Sequence, residues 1–439
     1  MKERKSYKNL FWAYLLLLIF EGGLRKWVLP GLATPLLLVR EPLAIYMFVV
    51  AMRNNWLNNL FCGSMISVAT LSLVTTLIFG HQNLFVALYG WRIYALDFPM
   101  IFIMGRVLNR EDILKMGRCA LYISIPMTML IVNQFFSPQS AFVNRGVGGD
   151  LEGGGFSGAM GYFRPPGTFS FTSGYIQYQF LVGSFLSYYL VTNKSLKKTL
   201  QIKPALLLLM TACYAITIPY SISRSHFFQT LLLLAILFIG VVLINRKDVV
   251  RRLLMALCGL AAVLFIVQLT GIAGTGLDAF TERFSQANES EGKGNTGKAI
   301  ADRLAYGLFQ ELPENLPFWG YGIGLGTNAG AKLAGGTSGM FSFFNAESET
   351  NRIFNESGLL LGGLIIAVRM ALAVFICYYA YKYLRSRKDL LLWMLLPGTA
   401  ICLVQGQWGI PTSMGFTAIF VGFAHTLIVD KEKKWVYGH

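Results

Sequence analysis

"FFQTLLLLAILFIGVVLI", residues 227 to 244, is an apolar run without a charged side chain. An α-helix needs about 20 such residues to cross roughly 30 Å of hydrocarbon, so this run is long enough for a membrane span. Similar runs recur along the chain, whose 439 residues are 54% hydrophobic and only 14% charged. This composition leaves too little polar surface for a water-soluble globule. The sequence therefore predicts an all-α, polytopic membrane protein, because backbone groups in lipid must be hydrogen-bonded internally.

The distribution of apolar runs predicts twelve transmembrane helices. They lie near residues 10–30, 33–52, 60–80, 83–105, 117–137, 174–192, 204–221, 227–244, 253–271, 356–381, 390–406 and 414–429. The first run follows a basic N-terminus, as in a signal peptide. We interpret it as a span, since Glu21, Arg25 and Lys26 follow it in place of a small-residue cleavage site.

The net charge of +16 comes from 38 basic and 22 acidic residues. In a soluble protein this excess would suggest nucleic-acid binding. Here 24 of the 38 bases fall in alternate loops between the predicted spans. The positive-inside rule then places both termini in the cytoplasm. The excess of basic residues is thus explained by the membrane topology, and we expect no nucleic-acid partner. The six cysteines include no CxxC pair, which argues against a metal or redox site.

We predict one polytopic membrane domain over residues 1–439, with two long segments on the outer side. The first, 138–173, is rich in glycine. The second, 272–355, lies between the ninth and tenth predicted spans and is much longer than a simple connection requires. Loops of this length in a compact protein are usually functional or disordered. We therefore expect active-site elements in the second segment.

The fourteen bases outside the cytoplasmic loops include ten arginines. This bias favours recognition of phosphate or carboxylate, because a guanidinium group binds two oxygens at once. Arg92 and Arg369 lie within apolar runs, where an unpaired charge is costly, and Asp97 is a possible partner of Arg92. For these two arginines, and for Arg40 with Glu41, structural ion pairs and anion binding both remain open.

Arg224 lies between Ser223 and Ser225, at the outer start of the run quoted above. Serine caps and the free N–H groups of a first helical turn favour an anion at this position. The sequence thus predicts a phosphate site. An interfacial arginine that extends its side chain to water is the alternative.

A cluster of charges precedes the tenth predicted span, in "NAESETNRIFNESGLLLGG" at 345–363. It contains Glu347, Glu349, Arg352 and Glu356. Neighbouring carboxylates suit general-base chemistry, and we expect Arg352, three residues after Glu349, to orient this carboxylate or to bind an acceptor. We place the cluster at the outer membrane boundary. A solvated loop edge is the alternative.

The stretch "NLPFWGYGIGLGTN", 315–328, has glycine at every second position from 320 to 326. It lacks the strand, helix and Lys-Ser/Thr context of a nucleotide loop. A tight backbone bend close to the site is the better interpretation, because glycine permits close approach of the chain.

These motifs together resemble the O-antigen ligase and polymerase family of bacterial membrane glycosyltransferases. The resemblance rests on "FRPPGTFSFTSG" at 163–174, "SRS" at 223–225, "ADRLAYGLFQELPENLPFWGYGIGLG" at 301–326 and "NESGLLLGG" at 355–363. It implies a fold of the large polytopic glycosyltransferase type (GT-C-like) and a polyprenyl-pyrophosphate-linked sugar donor. It also implies a reaction on the outer face of the bacterial cytoplasmic membrane without a metal or other cofactor. Arg224 and Arg303 would hold the pyrophosphate.

Other site residues are our own predictions beside this resemblance. Arg164 and Arg352 join the pyrophosphate site, and Glu349 or Glu347 acts as the base, because the histidine that the family often carries here is missing. Supporting roles are predicted for Arg92, Arg145, His226 and Glu356. The expected activity is polymerisation of lipid-linked oligosaccharide repeat units in the bilayer, with a flippase and a chain-length regulator as possible partners. An O-antigen ligase and a transporter of lipid-linked oligosaccharide are the alternatives.

Overall fold

The computed structural model describes residues 2–244, 250–251, 274–292, 316–327, 330 and 348–430. Its α-helices are α1 Lys2–Gly23, α2 Ala33–Leu36, α3 Glu41–Arg53, α4 Leu60–Phe79, α5 Leu84–Arg92, α6 Met100–Val107, α7 Arg110–Phe136, α8 Thr172–Thr192, α9 Pro204–Tyr220, α10 Arg224–Ile244, α11 Gly274–Gly292, α12 Glu349–Arg387, α13 Leu391–Val404 and α14 Pro411–Val429. Two π-helical turns, Leu24–Val28 and Ile93–Asp97, extend α1 and join α5 to α6.

The prediction of an all-α membrane protein is confirmed at this level. Within the described ranges, eight helical segments are long and apolar enough to cross a membrane. Each predicted span overlaps a helix except the one at 253–271, which lies outside the described residues. The count of twelve therefore stays a prediction. The strands that the structure describes are the two-residue pair β1 Phe156–Ser157 and β2 Phe163–Arg164, which form an antiparallel hairpin in the glycine-rich loop.

Several helices begin at an asparagine cap. The side chain of Asn59 accepts hydrogen bonds at the start of α4, and that of Asn83 does so at the start of α5. Asn109 forms a reciprocal capping box with Asp112 at the start of α7. Such caps satisfy the free N–H groups of the first turn and fix where each helix starts.

The centre of the bundle is formed by α8 and α14, which are buried around most of their circumference. Glycines on neighbouring helices make room for aromatic rings. The ring of Phe185 covers Gly117, and that of Phe420 covers Gly398. Small residues at such contacts allow helices to approach closely in lipid, where packing and not hydrophobicity drives association.

The segment α12 consists of two helices joined by a sharp reversal at Gly358. This residue has φ 71° and ψ −178°, a conformation open essentially only to glycine. Arg369 donates to Glu349 at 3.0 Å although twenty residues separate them, which a straight helix would place about 30 Å apart. The short helix 349–357 therefore folds back along the first part of the long helix 359–387.

This reversal places the charged cluster beside Arg369 and the loop that follows α13. Arg369 lies ten residues beyond Leu359, or about 15 Å along the helix. Helix α13 has only 14 residues, and the loop that follows it meets Arg369. Glu349 therefore lies level with Arg369, in the first half of the long helix and beside the loop that follows α13. Its expected position at the outer membrane boundary stays a prediction.

Candidate functional site

Glu349 is held by two arginines. Arg352 donates from Nε and Nη2 to both carboxylate oxygens, at 2.9 and 2.7 Å, and Arg369 adds the 3.0 Å bond from Nη1. All three side chains are at least 95% buried. A carboxylate bound in this way is a weak general base, because proton uptake would break two buried ion pairs. Its catalytic role stays a prediction, and the geometry favours a positioning role.

Arg352 also binds a second carboxylate. Its Nη1 lies 2.6 Å from Glu356 Oε2, and its Nη2 donates to the Tyr94 hydroxyl at 3.1 Å. The other oxygen of Glu356 accepts the Gly326 N–H at 2.7 Å. Arg352 therefore orients Glu349, as one sequence alternative held, and all three of its nitrogens are already engaged. Buried as they are, Glu349 and Glu356 do not form a solvated loop edge.

Arg369 joins this cluster to the loop between α13 and α14. Its Nε donates to the Leu403 carbonyl at 2.8 Å and its Nη2 to the Gly406 carbonyl at 2.9 Å. The guanidinium group lies 4.0 Å from the centre of the Trp408 ring. These contacts satisfy an arginine inside an apolar segment, so Arg369 has a structural ion pair. We call Glu349, Arg352, Glu356 and Arg369 the inner charge network; its formal charges sum to zero.

The glycine-rich stretch runs beside the short helix as a series of turns and bends. Tyr321 N donates to the Asn355 carbonyl at 2.7 Å, and Gly322 N donates to the Glu356 carbonyl at 3.0 Å. The φ values at Gly320, Gly322 and Gly324 are 73°, 112° and 95°. A Cβ at Gly324 would collide with the Val86 carbonyl. The predicted tight approach is confirmed, and its bonds satisfy a backbone that is not helical.

His81 fixes the same stretch from the other side. The ring accepts the Asn83 N–H at Nδ1 and bonds the Ile323 carbonyl through Nε2, at 3.0 and 3.1 Å. These partners require a neutral ring with its proton on Nε2. Burial agrees with this, since it lowers the pKa of His81 below the usual value. His81 is thus a structural histidine.

A second buried charge network lies on α3, α5 and the end of α1. Arg92 pairs with Glu41 and with Asp97, the latter at 3.3 Å, so the partner predicted for Arg92 is confirmed. Arg40 binds Glu21 at 3.2 Å, not its neighbour Glu41. It also donates to the Pro411 carbonyl at 2.8 Å. The second network therefore ties the first helices to the start of α14 through structural ion pairs.

Two of the predicted pyrophosphate residues lie on neighbouring segments. Arg164 is on the hairpin strand β2, where its Nε donates to the Ser157 carbonyl at 3.1 Å and its guanidinium covers Phe156. Arg224 begins α10. Ile222, two residues before Arg224, is buried. It packs against Gly158, which lies between the two strands of this hairpin: a Cβ added to Gly158 would be 2.8 Å from Ile222 Cδ1. Arg303 and Glu347 lie outside the described residues.

The remaining support residues have different environments. Arg145 is half-buried and covers Phe142 at 5.1 Å. His226 is fully buried; its Nδ1 lies 3.4 Å from Ser221 Oγ, and Nε2 has no hydrogen-bond partner in the described part of the chain. Its ring packs edge-on against Tyr214. A supporting role for these two residues stays a prediction.

Sequence reasoning missed three residues that complete the two charge networks: Tyr94 and Trp408 in the inner charge network, and Glu21 in the second network. Tyr94 lies in an apolar run, where an aromatic residue usually only fills a core, and Trp408 lies in the short loop between α13 and α14. The sequence favours Glu41 as the partner of Arg40, whereas Glu21, inside the first predicted span, binds it. An arginine in an apolar run does indicate that hydrogen-bond acceptors and an aromatic ring must lie nearby. The sequence does not indicate which residues supply them.

The chain was compared with protein-family models, with curated proteins and with solved structures, and none of the three comparisons found a match.

Proposed function

We propose that this protein is a membrane glycosyltransferase that polymerises polyprenyl-pyrophosphate-linked oligosaccharide repeat units. The product would be an exopolysaccharide, capsule or O-antigen chain, made on the outer face of the bacterial inner membrane. One observation carries the proposal. The glycine stretch and the "NESGLLLGG" segment, two motifs of the resemblance that are about thirty residues apart, pair through Tyr321 with Asn355 and Gly322 with Glu356.

The chemistry of such a transfer suits the arginines near the hairpin. Departure of a pyrophosphate requires stabilisation of developing negative charge, which preorganised guanidinium groups provide. Arg164 and Arg224 are the described candidates, and Arg303 would complete the set. The inner charge network holds the paired motifs together, so its proposed role in the reaction is one of position.

The fold-back at Gly358 favours a second candidate, a transporter of lipid-linked oligosaccharide. Broken helices with buried charges inside the bundle are typical of transporters. A transporter must, however, release and rebind charge as it moves, whereas every member of the inner charge network has a partner within it. We therefore place the transporter second.

Incubation of the purified protein with a lipid-linked repeat unit tests the proposal. A ladder of products indicates a polymerase, and a single addition to another lipid indicates a ligase. No covalent change, together with movement of the lipid across the bilayer of a proteoliposome, would replace the proposal by the transporter.

Arg224→Lys provides the matched test of the pyrophosphate site. This change keeps the charge but removes the forked donor, so turnover should fall strongly while the unfolding temperature stays near that of the wild type. Arg385→Lys, at the far end of α12, is the control and should keep full turnover. Equal turnover in all three proteins would remove Arg224 from the site.

A further inference from the structure

A cavity of about 400 Å³ opens at the end of the bundle opposite the hairpin. It lies where the ends of α6, α12 and α14 meet, and its lining includes Arg106, Arg387 and His425. Its volume falls within the usual range for ligand pockets. None of these three residues takes part in the proposed reaction, so the cavity needs a separate explanation.

His425 is 93% buried, yet its Nδ1 has no hydrogen-bond partner among the described residues. The ring packs edge-on against Phe102, and Gly105 leaves the space that it occupies. This Nδ1 faces the backbone of Gly105, because a Cβ on that glycine would collide with it, so close helix packing accounts for the missing bond. His425 nevertheless lines the cavity and adds a polar ring to its wall.

The two arginines give the cavity a positive charge. Arg387 covers the Tyr383 ring at 3.6 Å, a stacking that leaves the edge donors of the guanidinium group available. Neither arginine forms an ion pair within the described residues. The one carboxylate of the lining, Asp430, accepts the Arg110 N–H at 2.8 Å. Two guanidinium groups opposite one hydrogen-bonded carboxylate favour an anion with several oxygens, such as a phosphate.

The position of the cavity indicates where this phosphate comes from. The positive-inside rule assigns this end of the helices to the cytoplasmic surface. Trp56 and Tyr383 line the cavity as aromatic residues of the interface do, and nearby Leu60 is 80% exposed, as expected of a lipid-facing side chain. Basic pockets between helices on this side are suited to anionic headgroups. We propose that this cavity binds the phosphate of an anionic phospholipid, with the acyl chains lying along the apolar outside of the bundle.

Native mass spectrometry of the purified, delipidated full-length protein tests this inference. We would titrate it with phosphatidylglycerol, with phosphatidylcholine and with inorganic phosphate in parallel. We expect tight binding of phosphatidylglycerol only. Each of Arg106→Gln and Arg387→Gln should weaken it about fivefold, since one basic residue near an anionic lipid contributes about that much.

Arg385→Gln is the matched control, because this exposed arginine lies two residues from Arg387, donates to Tyr381 and does not line the cavity. It should bind phosphatidylglycerol like the wild type. Equal binding of the two lipids, or an unchanged preference in both single variants, would overturn the site. Binding of inorganic phosphate as tight as that of the lipid would overturn the lipid assignment. Size-exclusion profiles identify any variant that does not fold. If one of the two single variants fails to fold, lipid binding by the other one tests the site.

Discussion

Replacement of Gly358 by alanine should open the fold-back of α12. The added Cβ would lie 2.7 Å from Gly320 N and nearer still to the Phe318 carbonyl, whereas real Cβ atoms essentially never come within 3.0 Å of such atoms. The residue would also have to hold φ 71° and ψ −178°. Such a conformation costs about 1–3 kcal/mol in a residue other than glycine.

The collision adds a second cost, because backbone atoms cannot rotate away as a side chain can. The shortest route to relief separates the glycine stretch from the short helix and breaks the bonds from Tyr321 to Asn355 and from Gly322 to Glu356. Each contributes about 1 kcal/mol. We therefore expect Gly358→Ala to lower the free energy of unfolding by about 3–5 kcal/mol.

Gly363→Ala is the control on the same helix, because a Cβ there meets nothing within 4 Å. Alanine is the better helix former, so this variant should be as stable as the wild type or slightly more. Denaturant unfolding in detergent micelles, followed by tryptophan fluorescence, measures both. If the two variants unfolded at the same denaturant concentration, the fold-back and the pairing of the two motifs would be refuted.

Three further predictions concern the charges and the histidine. Glu349→Gln should lower the free energy of unfolding by about 3–5 kcal/mol, because it leaves Arg352 and Arg369 without a shared counter-charge. In a double-mutant cycle, the combination with Arg369→Met should lower the free energy of unfolding by less than the sum of the two single changes. The pKa of His81 is lowered in the folded protein, so the unfolded chain binds the proton first as the pH falls. The free energy of unfolding should therefore decrease as the pH drops below about 6.5. His81→Gln should remove part of this pH dependence in unfolding curves measured across pH. Arg164→Lys should reduce turnover without a change in unfolding temperature, and a loss of stability equal to that of Glu349→Gln would instead assign Arg164 to the scaffold.

Helix positions were predictable because lipid imposes one rule on every span. A long apolar run has no alternative to a helix, and asparagines before α4, α5 and α7 mark the starts. The pairing of Arg92 with Asp97 was also predictable, because the two residues are close in sequence.

The fold-back at Gly358 was not predictable in this way. "NESGLLLGG" also fits a single helix entering the membrane, since one glycine in a helical pattern is tolerated. Only the contacts of Gly358 with Phe318 and Gly320, nearly forty residues upstream, distinguish a reversal from a small kink. Such contacts depend on tertiary structure, and no local pattern in the sequence encodes them.

The burial and mutual bonding of the inner charge network bear on mechanism more than its composition does. Four charges that sum to zero inside a membrane protein are expensive unless each is bonded, and here each is. An arrangement of this kind specifies a unique geometry and resists change, because removal of one member leaves the others unpaired. It thus suits the proposed enzyme, which must hold two chain segments still while its substrate reacts. If the network instead exchanged partners during a cycle, Glu349→Gln would impair movement of the substrate even where the fold survived, and the transporter would become the better interpretation.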